Sequence, residues 1–256
     1  MSVHITAVLK EGARRTSKRN GLMLIGLVFV LSALSGLLGA GLARYAANQQ
    51  FVPVEAGASA LFALPPVVAG LLSFVLAIAS LVVSIAAIRV FVSDETEHLS
   101  REHFTRNMGW AALNVFVGAI VFGLIVGLGL VALVIPGIFL LVTLAFWTVH
   151  VAVEDQNFVQ GFRSSWALTR GHRFSLLLLG VAVMLAALAV DIVFGLGAIA
   201  GSTIGLVVAQ AGSAIVTVYS TAVLAAAYTE LTALPAEDDL AVEEGPVSPE
   251  DGAKTA

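Results

Sequence analysis

Cysteine is absent from all 256 residues. That excludes disulfides, thiolate-held zinc, iron–sulfur clusters and thiol nucleophiles, and it leaves no redox compartment to read. Charge is nearly as scarce. Asp, Glu, Lys and Arg make up 12% of the chain, against roughly 25% in soluble globular proteins. Of the five histidines only His98 and His103 are close, in EHLSREH with Glu97 and Glu102. Two histidines five apart do not share a helical face, unlike the i, i+4 pair of a zinc-binding helix, so this segment reads as a solvated loop. The glycine-rich stretch 195–205 lacks the strand-to-helix setting and the basic residue of a phosphate-binding loop. No Ser–His–acid spacing argues for itself either. The expectation is a protein without catalytic residues, cofactor or metal.

What is present is apolar. Hydrophobic residues make up 59% of the chain and the mean hydropathy is +0.97. Several runs exceed the ~20 residues that cross a ~30 Å hydrocarbon core. The sequence predicts an all-α polytopic membrane protein with six transmembrane helices, at about 21–43, 66–92, 108–134, 137–153, 174–199 and 205–231. Ile135-Pro136-Gly137 reads as a tight turn, with proline suited to the first turn of the fourth helix. The Gly/Ser/Thr stretch 201–205 turns the chain into the sixth. The first apolar run is longer than a signal-peptide core and follows a 20-residue leader, so an uncleaved span is expected. Residues 1–20 form a basic segment, 21–234 the membrane domain, and 235–256 a disordered acidic tail.

Positive charge falls on one side of this layout. Lys10, Arg14, Arg15, Lys18, Arg19, Arg89, Arg101, Arg106, Arg163, Arg170, Arg173 and Lys254 share a side, and only Arg44 lies opposite. The positive-inside rule then puts both termini in the cytoplasm, in the cell membrane. A basic junction precedes each odd-numbered span: TSKRNG at 16–21, TRNMG at 105–109 and TRGHR at 169–173. These read either as three copies of one unit, a surface segment followed by a hairpin, or as chance likeness of span edges.

Two of the surface segments are amphipathic. At about 100° per residue, Phe158, Val159, Phe162 and Trp166 share one arc, with Arg163 and Arg170 at its edge. Near the N-terminus Ile5, Val8, Leu9, Ala13 and Thr16 share a face, and Lys10, Arg14 and Lys18 repeat on the other. Helices lying in the membrane interface are built this way, with rings in the acyl boundary and cations raised to phosphates. The candidate lipid-headgroup residues are therefore Arg163, Arg170, Arg173, Trp166, Lys10, Arg14 and Lys18. Holding the loops on the cytoplasmic side is the simpler role for the same cations. Nucleic acid is not an expected partner, because the cations are divided among loops already held at the membrane.

Four polar residues are placed within the spans. Asp191 lies towards the outer end of the fifth, where a carboxylate costs about 2.5–3.5 kcal/mol unless it meets protein, water or a partner. Gln210 is at comparable depth on the sixth helix and is its first candidate partner. A structural hydrogen bond and an ion, proton or substrate site are both open. Arg89 and Glu230 sit nearer the cytoplasmic ends, and either pair or snorkel to the interface. Gly123-x-x-x-Gly127, Gly197-x-x-x-Gly201 and Gly201-x-x-x-Gly205 have helix-packing spacing.

Residues 136–180 carry a recognisable pattern: Pro136-Gly137, an apolar span, the acidic turn Glu154-Asp155, then Ser165, Trp166, Leu168, Thr169 and Gly171. This resembles the membrane domain found ahead of the catalytic barrel in some glycerophosphodiester phosphodiesterases, and stand-alone members of haloarchaeal type. The excess of arginine over lysine, ten to three, has the same flavour. The resemblance implies the six-span fold but no hydrolase activity, because after residue 234 only the acidic tail follows. The leading expectation is a non-enzymatic module that organises anionic lipids or partner proteins, or its own copies, at the cytoplasmic face. A transporter or channel-like protein with Asp191 in its pathway is the alternative, and a membrane-embedded lipid enzyme the third.

Overall fold

The computed structural model describes residues 4–49, 64–93, 102–199 and 203–233. The acidic tail, Glu97, His98 and Arg101 lie outside the described residues. Ten helices are described: α1 (Ile5–Ser17), α2 (Arg19–Gln49), α3 (Pro66–Val92), α4 (Glu102–Thr105), α5 (Met108–Ala132), α6 (Val134–Thr143), α7 (Trp147–Val153), α8 (Phe158–Leu168), α9 (Arg173–Ile199) and α10 (Thr203–Ala233). No strand occurs among the described residues. With α6 and α7 taken together, six helices are long and apolar enough to cross a membrane. One short helix precedes each pair of long ones: α1 before α2 and α3, α4 before α5 and α6–α7, α8 before α9 and α10.

Sequence explains where the helices start and stop. Pro66 opens α3 at a position whose amide would have no helical partner anyway. Between α5 and α6 only Leu133 leaves the helix, in extended conformation. The expected turn at 135–137 is therefore shifted to Leu133, and Pro136 lies inside the first turn of α6. Gly137 has a packing role instead. A Cβ on it would lie 2.5 Å from Leu130 Cγ, and one on Gly129 would lie 3.0 Å from Gly137 Cα. These two glycines are where α5 and α6 meet. The spaced pair Gly123 and Gly127 faces open space.

The fourth span is interrupted. Residues Leu144–Phe146 form turns between α6 and α7, so the expected continuous helix over 137–153 is two shorter ones. α10 packs against α1, α2, α3 and α9. One buried cluster joins Phe146, Trp147, Val149 and Val151 to Ala111, Leu176, Val223 and Tyr228. A second joins Leu24, Val90 and Phe91 to Val218 and Ala222. Large apolar side chains elsewhere remain uncovered, among them Val67, Phe74, Phe116, Leu128, Phe174 and Val193. In the α9 span only 11% of the most apolar window is buried. Protein contacts leave this surface bare, which is compatible with helices long and apolar enough to cross a membrane.

Candidate functional site

Hydrogen bonds and ion pairs gather the basic segments at one end of the bundle. The backbone amide of His4 donates to Glu230 Oε1 of α10 at 2.8 Å. Arg15 donates to the carbonyl of Phe91 in α3 and to Glu11 Oε1, the latter at 2.7 Å. Arg89, 7% exposed, donates to the carbonyls of Ala152 (2.6 Å), Arg106 (2.7 Å) and His103 (3.3 Å). Its remaining nitrogen is 3.6 Å from Asp155 Oδ1, within ion-pair distance without hydrogen-bond alignment. Arg106 holds the other oxygen of Asp155 at 2.7 Å. That bond and the carboxylate's charge raise the pKa of Arg106 above the usual arginine value. Arg89 and Glu230 are therefore not partners, and Arg89 is buried among these carbonyls. It fastens α3 to α4 and α7 through the rigid fork of its guanidinium.

A second polar contact joins α7 to α10. Tyr228 donates to Glu154 Oε1 at 2.5 Å, and the buried His150 places Nδ1 3.0 Å from the same oxygen. The His150 ring stands edge-on to Tyr228, with centroids 5.3 Å apart. The sequence marks Asp155 only as part of the acidic turn and Arg15 only as one of the one-sided cations, without their partners. It gives no sign of Tyr228 beyond its closeness to Glu230 at a span edge.

The short helix α8 and the turn after it carry the Ser165, Trp166, Leu168, Thr169 and Gly171 pattern. Asn157 and Gln160 form a reciprocal capping box at its N-terminus, satisfying backbone amides that have no helical partner. The amide of Phe158 donates to Asn114 Oδ1 of α5 at 3.1 Å. Gly161 allows close approach to α7, because a Cβ there would lie 2.9 Å from the Trp147 carbonyl. One turn further, Ser165 Oγ donates to the Thr143 carbonyl at 2.9 Å and accepts from the Phe146 amide at 3.1 Å. Thr169 adds a bond to the same carbonyl at 3.3 Å. The motif thus holds the interruption of the fourth span, whose backbone groups would otherwise lack partners. Gly171, at φ 80°, then turns the chain towards α9, a conformation glycine adopts without strain.

This docking corrects the expected orientation of α8. Its inward stripe is Gly161, Ser165 and Thr169, all buried. Phe158 and Phe162 pack on the same core, and Phe162 meets Trp147 edge-on at 5.1 Å. These two rings are half-buried against protein, whereas Val159 and Trp166 of the expected apolar face are not. Gly118 of α5 makes room, since a Cβ there would lie 2.4 Å from the Trp147 ring. Val159, Arg163, Trp166 and Arg170 remain exposed. The Arg173 guanidinium stacks on Phe139 and Trp166, 4.8 Å from each centroid.

α1 behaves likewise. Val8, Gly12, Arg15 and Thr16 are buried, and Ile5 and Leu9 pack on the main core, while Ala13 is exposed. Gly12 sets this rotation, because a Cβ on it would lie 2.4 Å from Val223 Cγ2 of α10. Lys10, Arg14, Lys18 and Arg19 stay exposed. Glu11 is bonded by Arg14 at 2.5 Å and by Arg15. Arg14's hydrogen bonds, aided by Arg15 and opposed by partial burial, hold the Glu11 carboxyl down to about 2.

The intramembrane candidates are not brought together. Asp191 is exposed on α9 beside the exposed Leu188 and Ile192. Gln210 turns towards α2, where a Cβ on Gly36 would lie 2.9 Å from its Nε2. Among the described residues no cluster of three His, Cys, Asp or Glu could hold a metal ion. The arrangement offers exposed cations around a rigidly fastened end, which suits it to receiving anions. No curated protein and no solved structure matches the chain. Nothing in these comparisons links it to the membrane domain of glycerophosphodiester phosphodiesterases. Residues 3–231 match a domain of unknown function, DUF7847, and the chain belongs to that family.

Proposed function

We propose that the protein is a multi-pass module of the cell membrane that organises anionic lipids or partner proteins at its basic end. In this reading that end and both termini face the cytoplasm, and no reaction is catalysed. The observation that carries it is the set of exposed cations Lys10, Lys18, Arg19, Arg163 and Arg170, whose side chains form no ion pair with any described residue. Each cation near an anionic leaflet is attracted by about 1 kcal/mol. The docking of α1 and α8 supports the same reading, because it holds these cations on fixed helices rather than loose arms. The likeness of residues 136–180 to phosphodiesterase membrane domains belongs to this proposal too, as a likeness to a membrane part and not to a hydrolase. Transport through Asp191 has less support, since Asp191 is exposed on α9 while Gln210 turns towards α2.

Lipid selectivity in reconstituted vesicles tests the reading. Spin-labelled phosphatidylglycerol should be immobilised several-fold in preference to spin-labelled phosphatidylcholine. Changing Lys10, Lys18, Arg163 and Arg170 together to Gln should remove most of that preference. Equal immobilisation of both lipids by the unchanged protein would sink the lipid reading.

A further inference from the structure

Arg173 differs from the other cations at the basic end. Phe139 and Trp166 fix its guanidinium by stacking, yet no described carboxylate pairs with it, and its Nε is buried without an acceptor. Aromatic faces hold a cation in place without neutralising it. No Asp or Glu occurs in sequence between Asp155 and Asp191, while Arg163 and Arg170 stand exposed nearby in sequence. The planar fork of an immobilised, uncompensated guanidinium can donate to two oxygens of a tetrahedral phosphate at once.

One helical turn along α9 from Arg173, an apolar groove begins. It has a volume of about 170 Å³ and lies between α6, α9 and α10, lined by Leu141, Leu176, Leu179, Gly180, Val183 and Leu224 among others. Leu176, Gly180 and Val183 follow Arg173 by three, seven and ten residues, so they lie along the same side of the helix. Gly180 and Leu141 are exposed and open the groove outwards. A fixed cation at the head of an apolar channel is complementary to a molecule with an anionic head and a hydrocarbon tail. A free phosphate would leave the channel empty, and the amine of a zwitterionic lipid would find no acid among the residues that line it.

We propose that Arg173 and the α6–α9–α10 groove form one site for a single anionic phospholipid, its phosphate on the guanidinium and one acyl chain in the groove. This deepens the lipid-organising reading and rests on it. The test is native mass spectrometry after reconstitution in equimolar phosphatidylglycerol and phosphatidylcholine and gentle detergent extraction. The unchanged protein should retain one phosphatidylglycerol per chain. Arg173→Gln should lower that occupancy at least tenfold. Gly180→Phe should do the same by filling the groove, and Gly180→Ala should not; no atom lies within 4 Å of a Cβ at this position, and melting curves check that both variants fold. Retention of no lipid, or of both lipids equally, overturns the site. So does loss in Arg173→Gln with full retention in Gly180→Phe, which would mark a headgroup contact without the groove. If the spin-label preference persists while no lipid is retained, this site fails and the broader reading stands; if both fail, both are wrong.

Discussion

Ser165 serves two backbone groups with one oxygen. It closes the Thr143 carbonyl and the Phe146 amide, where the fourth span loses its own hydrogen bonding. Ser165→Ala would leave both buried without that partner, a cost of about 1–3 kcal/mol. The expected result is a lower unfolding midpoint in detergent without loss of helix content; an unchanged midpoint would mean that the break holds itself. The sequence marked Ser165, Thr169 and Gly171 as a pattern but did not reveal this task. A helix with small residues on one side and aromatics beside them has two plausible inner faces, and the wheel favours the more hydrophobic. What decides is the clearance given by Gly118 and Gly161, which appears only once α5 and α7 are in place. Arg89 shows the same limit: its depth was readable, its partner Asp155 was not, because that pairing depends on how three helix ends meet.

At the scale of elements, α1 and α8 are helices whose apolar faces found protein. Hydrophobic periodicity reports that a face must be buried, not by what. For α1 the docking includes a titratable clamp, Glu11 with Arg14 and Arg15, and Arg15 reaches Phe91 of α3. The folded pKa of Glu11 is depressed, so its contribution is complete above the ordinary carboxylate value of 4.5 and is lost as pH falls through about 2. A spin label at the exposed position Ala7 should therefore become more mobile between pH 4.5 and 2. Glu11→Gln should be mobile throughout and lose this pH dependence. A label equally immobile at both pH values in the unchanged protein would show that the clamp does not hold α1.

For the whole molecule, six long apolar helices were legible because nothing else satisfies runs of that length and composition. Their mutual arrangement was not, since helices in lipid associate through shape and scattered polar contacts rather than through a hydrophobic pattern. Orientation rests on the distribution of basic residues, and the absence of native cysteine makes it directly measurable. Single cysteines at Lys10 and Gln160 should react only from the cytoplasmic side, and one at Leu133, in the turn between α5 and α6, only from the other. Labelling of Gln160→Cys from outside would overturn the topology.

A ribosome delivers Thr143 and Phe146 well before the side chain that closes them, which lies 22 residues beyond Thr143. Until then the fourth span has an open carbonyl and amide, groups that hydrocarbon would not solvate. Synthesis of α8 is therefore the step that completes the span before it. The two segments form a single unit of biogenesis, although they are separate elements of the finished fold.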